Sequence, residues 1–234
     1  MISTIGFDAD DTLWHNESIF ARTHERLRNL LSSYHDAPTV DRALFATEMR
    51  NLERYGYGIK SFALSAIETA VELSRSQLRA DEVMSIIRLT QAMLDHPVEV
   101  LPHVVDAITA VGATHRLIVI TKGDLRDQER KVEKSGLAGR FAAIEIVSEK
   151  NAATYRKVLE RHHVRPEKFL MVGNSIKSDV LPVLELGAHA AFVPYPITWE
   201  HERVTAVPDG PRYHPLASIA ELPDLVGRLQ ALPP

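Results

Sequence analysis

Beyond residue 101 the chain alternates short β-branched apolar runs with stretches of helical periodicity, and few folds accept that rhythm. Arg116-Leu117-Ile118-Val119-Ile120-Thr121 is the clearest run, too uniformly apolar for a strand with one wet face and typical of one buried on both. Further runs fall at Ala143–Val147, Phe169–Val172 and Ala190–Val193, and a first one, Thr4-Ile5-Gly6-Phe7, stands near the N-terminus. Strands separated by helices need right-handed crossovers, so the pattern predicts an α/β fold with a mainly parallel sheet covered on both faces. Gly136 and Gly187 stand where helices of that arrangement would end.

The span 15–98 has a different character. Ile19, Phe20, Thr23, Leu27, Leu30 and Leu31 keep one helical face largely apolar, and Val40, Leu44, Met49 and Leu52 form a second stripe. Ile59, Phe62, Ala63, Ala66, Ile67, Ala70 and Val71 follow the i, i+3, i+4, i+7 pattern closely. A fourth stripe, with Asp81 in position to cap it, ends at His96-Pro97. The expected organisation is a core of 1–14 plus 99–234 with an all-helical insert over 15–98. At the far end Ile219–Leu232 reads as a closing helix.

Composition excludes several functions. With 27 Lys and Arg against 31 Asp and Glu, the formal charge of −4 gives no basic field to draw nucleic acid. The chain has no cysteine, which removes disulfides, thiolate metal sites and a cysteine nucleophile. No secretory pattern or apolar run of spanning length is legible, so the expectation is a cytoplasmic protein, monomeric or homodimeric, without nucleic-acid or membrane partners.

In an open α/β sheet, ligands bind beyond the carboxyl ends of the strands. The first strand ends in Asp8-Ala9-Asp10-Asp11-Thr12, the second in Thr121-Lys122-Gly123, the third in Ser148-Glu149-Lys150, and the fourth in Gly173-Asn174-Ser175 with Asp179 beyond. Taken alone, the acidic triplet also suits a solvated, helix-capping turn. Its apolar lead-in and the polar groups at the neighbouring strand ends favour a site. Like charges crowded at a buried edge call for a cation, and hard oxygen donors favour Mg2+ over zinc or iron.

With these four segments in order, the chain resembles the haloacid dehalogenase superfamily over essentially its whole length. The resemblance implies a Rossmann-like doubly wound core, with residues 15–98 corresponding to a helical cap of the first type. It implies that Asp8 is the nucleophile, forming an aspartyl-phosphate, and that Asp10 is the general acid and base. Thr121 and the Lys122 amide would hold the phosphoryl oxygens, and Lys150 would offset the crowded negative charge. Asp8, the Asp10 carbonyl, Asn174 and Asp179 would hold Mg2+. The fourth segment departs from the family, which usually has Gly-Asp where this chain has Gly173-Asn174. An amide oxygen can still ligate Mg2+, with one formal negative charge fewer.

The expected function is Mg2+-dependent hydrolysis of a small phosphorylated metabolite. Haloacid dehalogenation, and a catalytically weak binding or regulatory protein on the same fold, are the alternatives. Asp10 separates the first two, because an alkoxide leaving group needs an acid and a halide does not. Substrate selection would fall to residues outside the four segments. Candidates are Lys60, in Tyr55-Gly56-Tyr57-Gly58-Ile59-Lys60, a stretch that equally suits a helix–helix turn with its tyrosines packed on the insert, and Trp14 beside the entrance, although Trp14 equally suits core packing. The loop Pro194–His201 follows the last apolar run and is given less weight, its histidine reading as a surface residue.

Overall fold

The β-branched runs become strands because period-2 alternation lets each one feed two cores at once. In the computed structural model, which describes residues 1–231, the elements are β1 (Thr4–Phe7), α1 (Glu17–Leu30), α2 (Ala37–Tyr55), α3 (Ile59–Leu73), α4 (Ala80–Asp95), α5 (Val104–Gly112), β2 (Arg116–Lys122) and α6 (Leu125–Lys134). They continue with β3 (Ala143–Val147), α7 (Ala152–Arg161), β4 (Phe169–Gly173), a π-helical turn (Ile176–Val180) running into α8 (Leu181–Glu185), β5 (His189–Phe192), β6 (Tyr213–Pro215) and α9 (Leu222–Ala231). Leu232, the last residue of the expected closing helix, lies outside the described residues.

Among the described residues, six strands form one parallel sheet in the order β3-β2-β1-β4-β5-β6. The fold is a Rossmann-like, doubly wound α/β sheet. Strand β1 is central, Phe7 lying in register with Val119 of β2 on one side and Val172 of β4 on the other. The winding reverses at β1, so its carboxyl end opens onto the switch-point crevice.

Leu117 and Val119 face a core shared with Ile5, Phe7, Val104, Ile108, Leu225 and Leu229. Ile118 and Ile120, one residue out of phase, face the opposite core with Tyr155, Leu159, Met171 and Val183. Burying each such side chain stabilises the fold by about 1.5–3 kcal/mol. Gly6 has no room for a side chain, since a Cβ there would lie 2.5 Å from the Phe169 ring.

The chain divides into two compact units. One comprises 1–17, 98–122 and 129–234; the other comprises 18–97 and 123–128. The stretch 18–97 is shorter than the expected insert of 15–98 because the two connecting segments are tied to the sheet unit, His15 N–H donating to the Glu99 carbonyl and Leu101 N–H to the Leu13 carbonyl, whereas the sequence reading assigns 123–128 to the core. The helical unit has its own core of Leu27, Leu31, Val40, Leu44, Ile59, Phe62, Ala66, Ile86 and Met93. Segment 123–128 groups with it, and Lys60 Nζ is ion-paired with Asp124 at 2.9 Å.

One sequence reading needs correction, and one strand has no counterpart in the sequence reading. Asp81 does not cap α4; the Glu82 carboxylate accepts from Arg79 N–H at 2.8 Å, and Asp81 is turned outward onto the Arg79 guanidinium. Strand β6 carries no apolar run, and its Pro215 is tolerated because β6 ends the sheet, where a missing N–H breaks no ladder. No helix among the described residues is long and apolar enough to cross a membrane.

Candidate functional site

The carboxyl end of β1 extends its ladder by one more bond, Asp8 N–H donating to the Val172 carbonyl at 2.9 Å, so the Asp8 backbone is fixed by the sheet itself. The chain then closes a tight loop, Leu13 N–H reaching the Ala9 carbonyl at 2.8 Å and Asp11 N–H the Trp14 carbonyl at 2.8 Å. Asp11 takes a positive φ of 62° in that loop, and its buried carboxylate accepts from the N–H groups of Asn16 and Glu17 where α1 begins. Of the three consecutive-looking acids, Asp11 is therefore the helix cap, and Asp8 and Asp10 are left for chemistry.

Lys150, 4% exposed, sits three residues after β3 and just before Asn151, which caps α7. Its Nζ donates to Asp8 Oδ1 and, at 2.6 Å, to Asp179 Oδ1. Asp179 arrives by way of the π-helical turn, whose wider loop folds its carboxylate back over β4. Ser175 N–H donates to Asp179 Oδ2 at 3.0 Å, and the Tyr155 hydroxyl donates to the Ser178 carbonyl at 3.0 Å behind it. Gly173 is required here, because a Cβ would lie 2.3 Å from the Asp179 carboxylate.

Two buried carboxylates share one ammonium, which leaves an excess negative charge in a desolvated place. Burial pushes the Asp8 carboxyl up to about 7, against the pull of Lys150. Burial also works against the Lys150 ammonium, but Asp179 and Asp8 outweigh it and hold its pKa above the ordinary lysine range. A proton or a cation relieves the excess.

The donor set fits a cation. One side-chain atom of the Asn174 amide lies 3.1 Å from Asp8 Oδ2, 3.2 Å from Thr12 Oγ1 and 3.3 Å from the Asp10 carbonyl. With nitrogen at that position, the amide donates to these oxygens; with oxygen there, three hard acceptors converge as a hard cation requires. Among the described residues no three Asp, Glu, His or Cys side chains gather into a metal-holding group; a cation bound here would need carboxylate, amide and peptide oxygens together. Asp179 accepts from Lys150 and Tyr155 through Oδ1 and from Ser175 N–H through Oδ2, and it shares the lysine with Asp8.

Asp10 points elsewhere. Its Oδ1 accepts the Trp14 indole N–H at 2.8 Å, and Lys131 Nζ donates to both its oxygens at 3.0 Å and to Asn16 Oδ1 at 2.9 Å. Trp14 is 1% exposed, so the expectation that it lines an entrance is corrected: its ring packs in the core and its N–H orients Asp10. Thr121 is buried at the end of β2. Lys122 Nζ turns onto Glu202 and, at 2.9 Å, onto the Ser178 hydroxyl. Lys60 belongs to the helical unit, ion-paired as described.

Sequence reasoning missed Lys131, Tyr155, Ser175, Ser178 and Glu202. The polar run Ser175-Ile176-Lys177-Ser178 beside Asp179 carried a faint signal for two of these, whereas Lys131 sits in a helix rich in charge and Glu202 in a loop with no apolar framing. The lightly weighted loop does bear on the site. Tyr195 Oη lies 2.7 Å from His15 Nδ1, and Lys177 Nζ donates to the His201 carbonyl at 2.7 Å.

The family described as haloacid dehalogenase-like hydrolase matches residues 2–187. A haloacid dehalogenase-like family hydrolase from Xanthomonas campestris is 40% identical, with a TM-score of 0.90, over 98% of this chain and 92% of that one. L-2-haloacid dehalogenase from Xanthobacter autotrophicus is 18% identical with a TM-score of 0.69, covering 97% of this chain and 99% of that one. The HAD-hydrolase YfnB from Bacillus subtilis, in a form bound to magnesium, is 17% identical with a TM-score of 0.66, covering 96% and 98%. The last two likenesses show the fold alone. No curated protein matches the chain.

Proposed function

The chain belongs to the haloacid dehalogenase-like hydrolase family, and on that footing we propose that it is a magnesium-dependent phosphatase of a small phosphorylated metabolite. The observation that carries the proposal is Asp10, a second carboxylate two residues after Asp8, oriented by Trp14 and Lys131. Such a group has no task in expelling a halide and an essential one in protonating an alkoxide.

In this reading the Asp8 carboxylate attacks phosphorus while Asp10 gives its proton to the departing ester oxygen, leaving an aspartyl-phosphate on Asp8 and a free alcohol. Asp10, now a carboxylate, takes a proton from the water that attacks the same phosphorus, and the Asp8–phosphorus bond breaks to release phosphate and restore both acids. Thr121 hydrogen-bonds the phosphoryl oxygens, and Lys150 lowers the cost of bringing a phosphate dianion against Asp8. Asp8, the Asp10 carbonyl and Asn174 would hold Mg2+, with Asp179 acting through Lys150. When bound, the ion supplies charge neutralisation at the phosphoryl oxygens.

The test is phosphate release from an aryl phosphate and a metabolite panel, with and without Mg2+, for the parent and Asp8→Asn, with halide release from 2-haloacids followed in parallel. Magnesium-dependent phosphate release, lost in the variant, is expected. Halide release with no phosphate turnover would overturn the proposal.

A further inference from the structure

Outside all four strand-end segments, one acid enters the site from the loop after β5. The Glu202 side chain is only 11% exposed, and its Oε1 accepts from Lys122 Nζ. Its Oε2 accepts from the Ser175 and Ser178 hydroxyls, the latter at 2.6 Å. Lys122 Nζ also donates to Ser178 Oγ at 2.9 Å, and Ser178 N–H donates to Ser175 Oγ at 3.0 Å, so the four residues form a closed ring.

Three members of the ring neighbour a functional position. Lys122 follows Thr121; Ser175 follows Asn174 and donates its N–H to Asp179; Ser178 precedes Asp179. The loop is stapled once more by Lys177 Nζ, which meets both the carbonyl and, at 3.1 Å, the Nε2 of His201. Burial works against the Glu202 carboxylate, yet Lys122 and the two hydroxyls prevail and hold its pKa at about 2, so it is a fixed anion over the working range.

We propose that Glu202 is a positioning residue of the hydrolytic site, bracing the Lys122 end of β2 against the turn that carries Asn174 and Asp179. A fully engaged, largely buried carboxylate can do this because its acceptor sites are filled by groups from the end of β2 and from the turn after β4, which fixes their spacing. Its charge also consumes that of Lys122, so the second strand contributes the Thr121 hydroxyl and backbone N–H groups to the substrate rather than a free ammonium. The effect on turnover rests on the phosphatase reading; the effect on cation affinity does not.

The experiment compares the parent with Glu202→Gln, Ser178→Ala, Lys122→Met and the Lys122→Met/Glu202→Gln double variant. Mg2+ affinity is measured by titration calorimetry, turnover by phosphate release and stability by thermal melting. Glu202→Gln should bind Mg2+ at least ten-fold more weakly and lower kcat at least ten-fold, with KM changed less than three-fold and Tm close to the parent's. Ser178→Ala should show a smaller loss of the same kind, which preserves the test if the first variant fails to fold. The double variant should be no worse than Glu202→Gln, because the two residues act as a unit. Unchanged Mg2+ affinity, or losses that merely track a fall in Tm, would overturn the proposal. A parent that binds Mg2+ without releasing phosphate would sink the phosphatase reading and leave Glu202 to be judged on affinity; a parent that binds no Mg2+ would overturn both.

Discussion

Lys131 donates to both oxygens of Asp10, and the Trp14 indole N–H donates a second bond to one of them, so this carboxylate is oriented by groups that themselves have little freedom. Trp14 is buried and Lys131 is additionally held by Asn16. Proton transfer by a positioned general acid contributes roughly 10²–10⁴ in rate, and part of that depends on its orientation. Lys131→Met should therefore reduce kcat for phosphate release ten-fold or more while leaving KM within a few-fold, as steady-state kinetics would report. A change confined to KM would mean that Lys131 meets the substrate instead of orienting Asp10. Asp8 is held differently, by the sheet through its N–H and by Lys150 and Thr12 through its side chain.

Elements carry charge to places where single residues would avoid it. Helix α2 packs Val40, Leu44, Thr47 and Asn51 inward, with Asn51 donating to Ser65 Oγ at 3.2 Å and to Glu68 at 2.7 Å on α3. Next to Thr47, Glu48 is drawn from solvent, and burial pushes its carboxyl up to about 7. Below its unfolded value of 4.5 both states are protonated and stability is unaffected. Between there and about 7 the native state binds the extra proton, so stability falls as pH rises, and above about 7 the full loss remains. Glu48→Gln should accordingly be more stable than the parent at pH 8 by ~1–3 kcal/mol, with the difference vanishing near pH 4.5 in urea unfolding. A difference independent of pH would show that the carboxyl is solvated. The π-helical turn is the other element of this kind, since its widened geometry brings Asp179 over Gly173 and presents Ser175 and Ser178 to Glu202.

For the molecule as a whole, the excess negative charge around Asp8, Asp179 and Lys150 would link the proposed cation binding to stability and to pH. A cation that binds only the folded state adds about 2.7 kcal/mol at a hundred-fold excess over its Kd. Mg2+ should thus raise Tm by several degrees in the parent and not in Asp8→Ala, which loses a proposed ligand. Because burial holds a proton on Asp8 up to about pH 7, the ion must displace it at lower pH, so the Tm rise should be larger at pH 8 than at pH 6. Equal rises at both pH values would place the ion away from Asp8.

The sequence by itself determined the sheet, because β-branched runs of strand length, separated by helical stripes, leave a parallel α/β arrangement as the way to bury both faces. It also determined which residues stand at the ends of β1 to β4, since each apolar run stops where its polar residues begin. Only the tertiary structure decided what those residues touch. Lys131 lies 121 positions from Asp10 and Glu202 lies 80 from Lys122, and such pairings follow from strand order and loop path, which no local periodicity encodes. The same holds for β6, which has no apolar run of its own and exists because β5 offers it an edge to pair with.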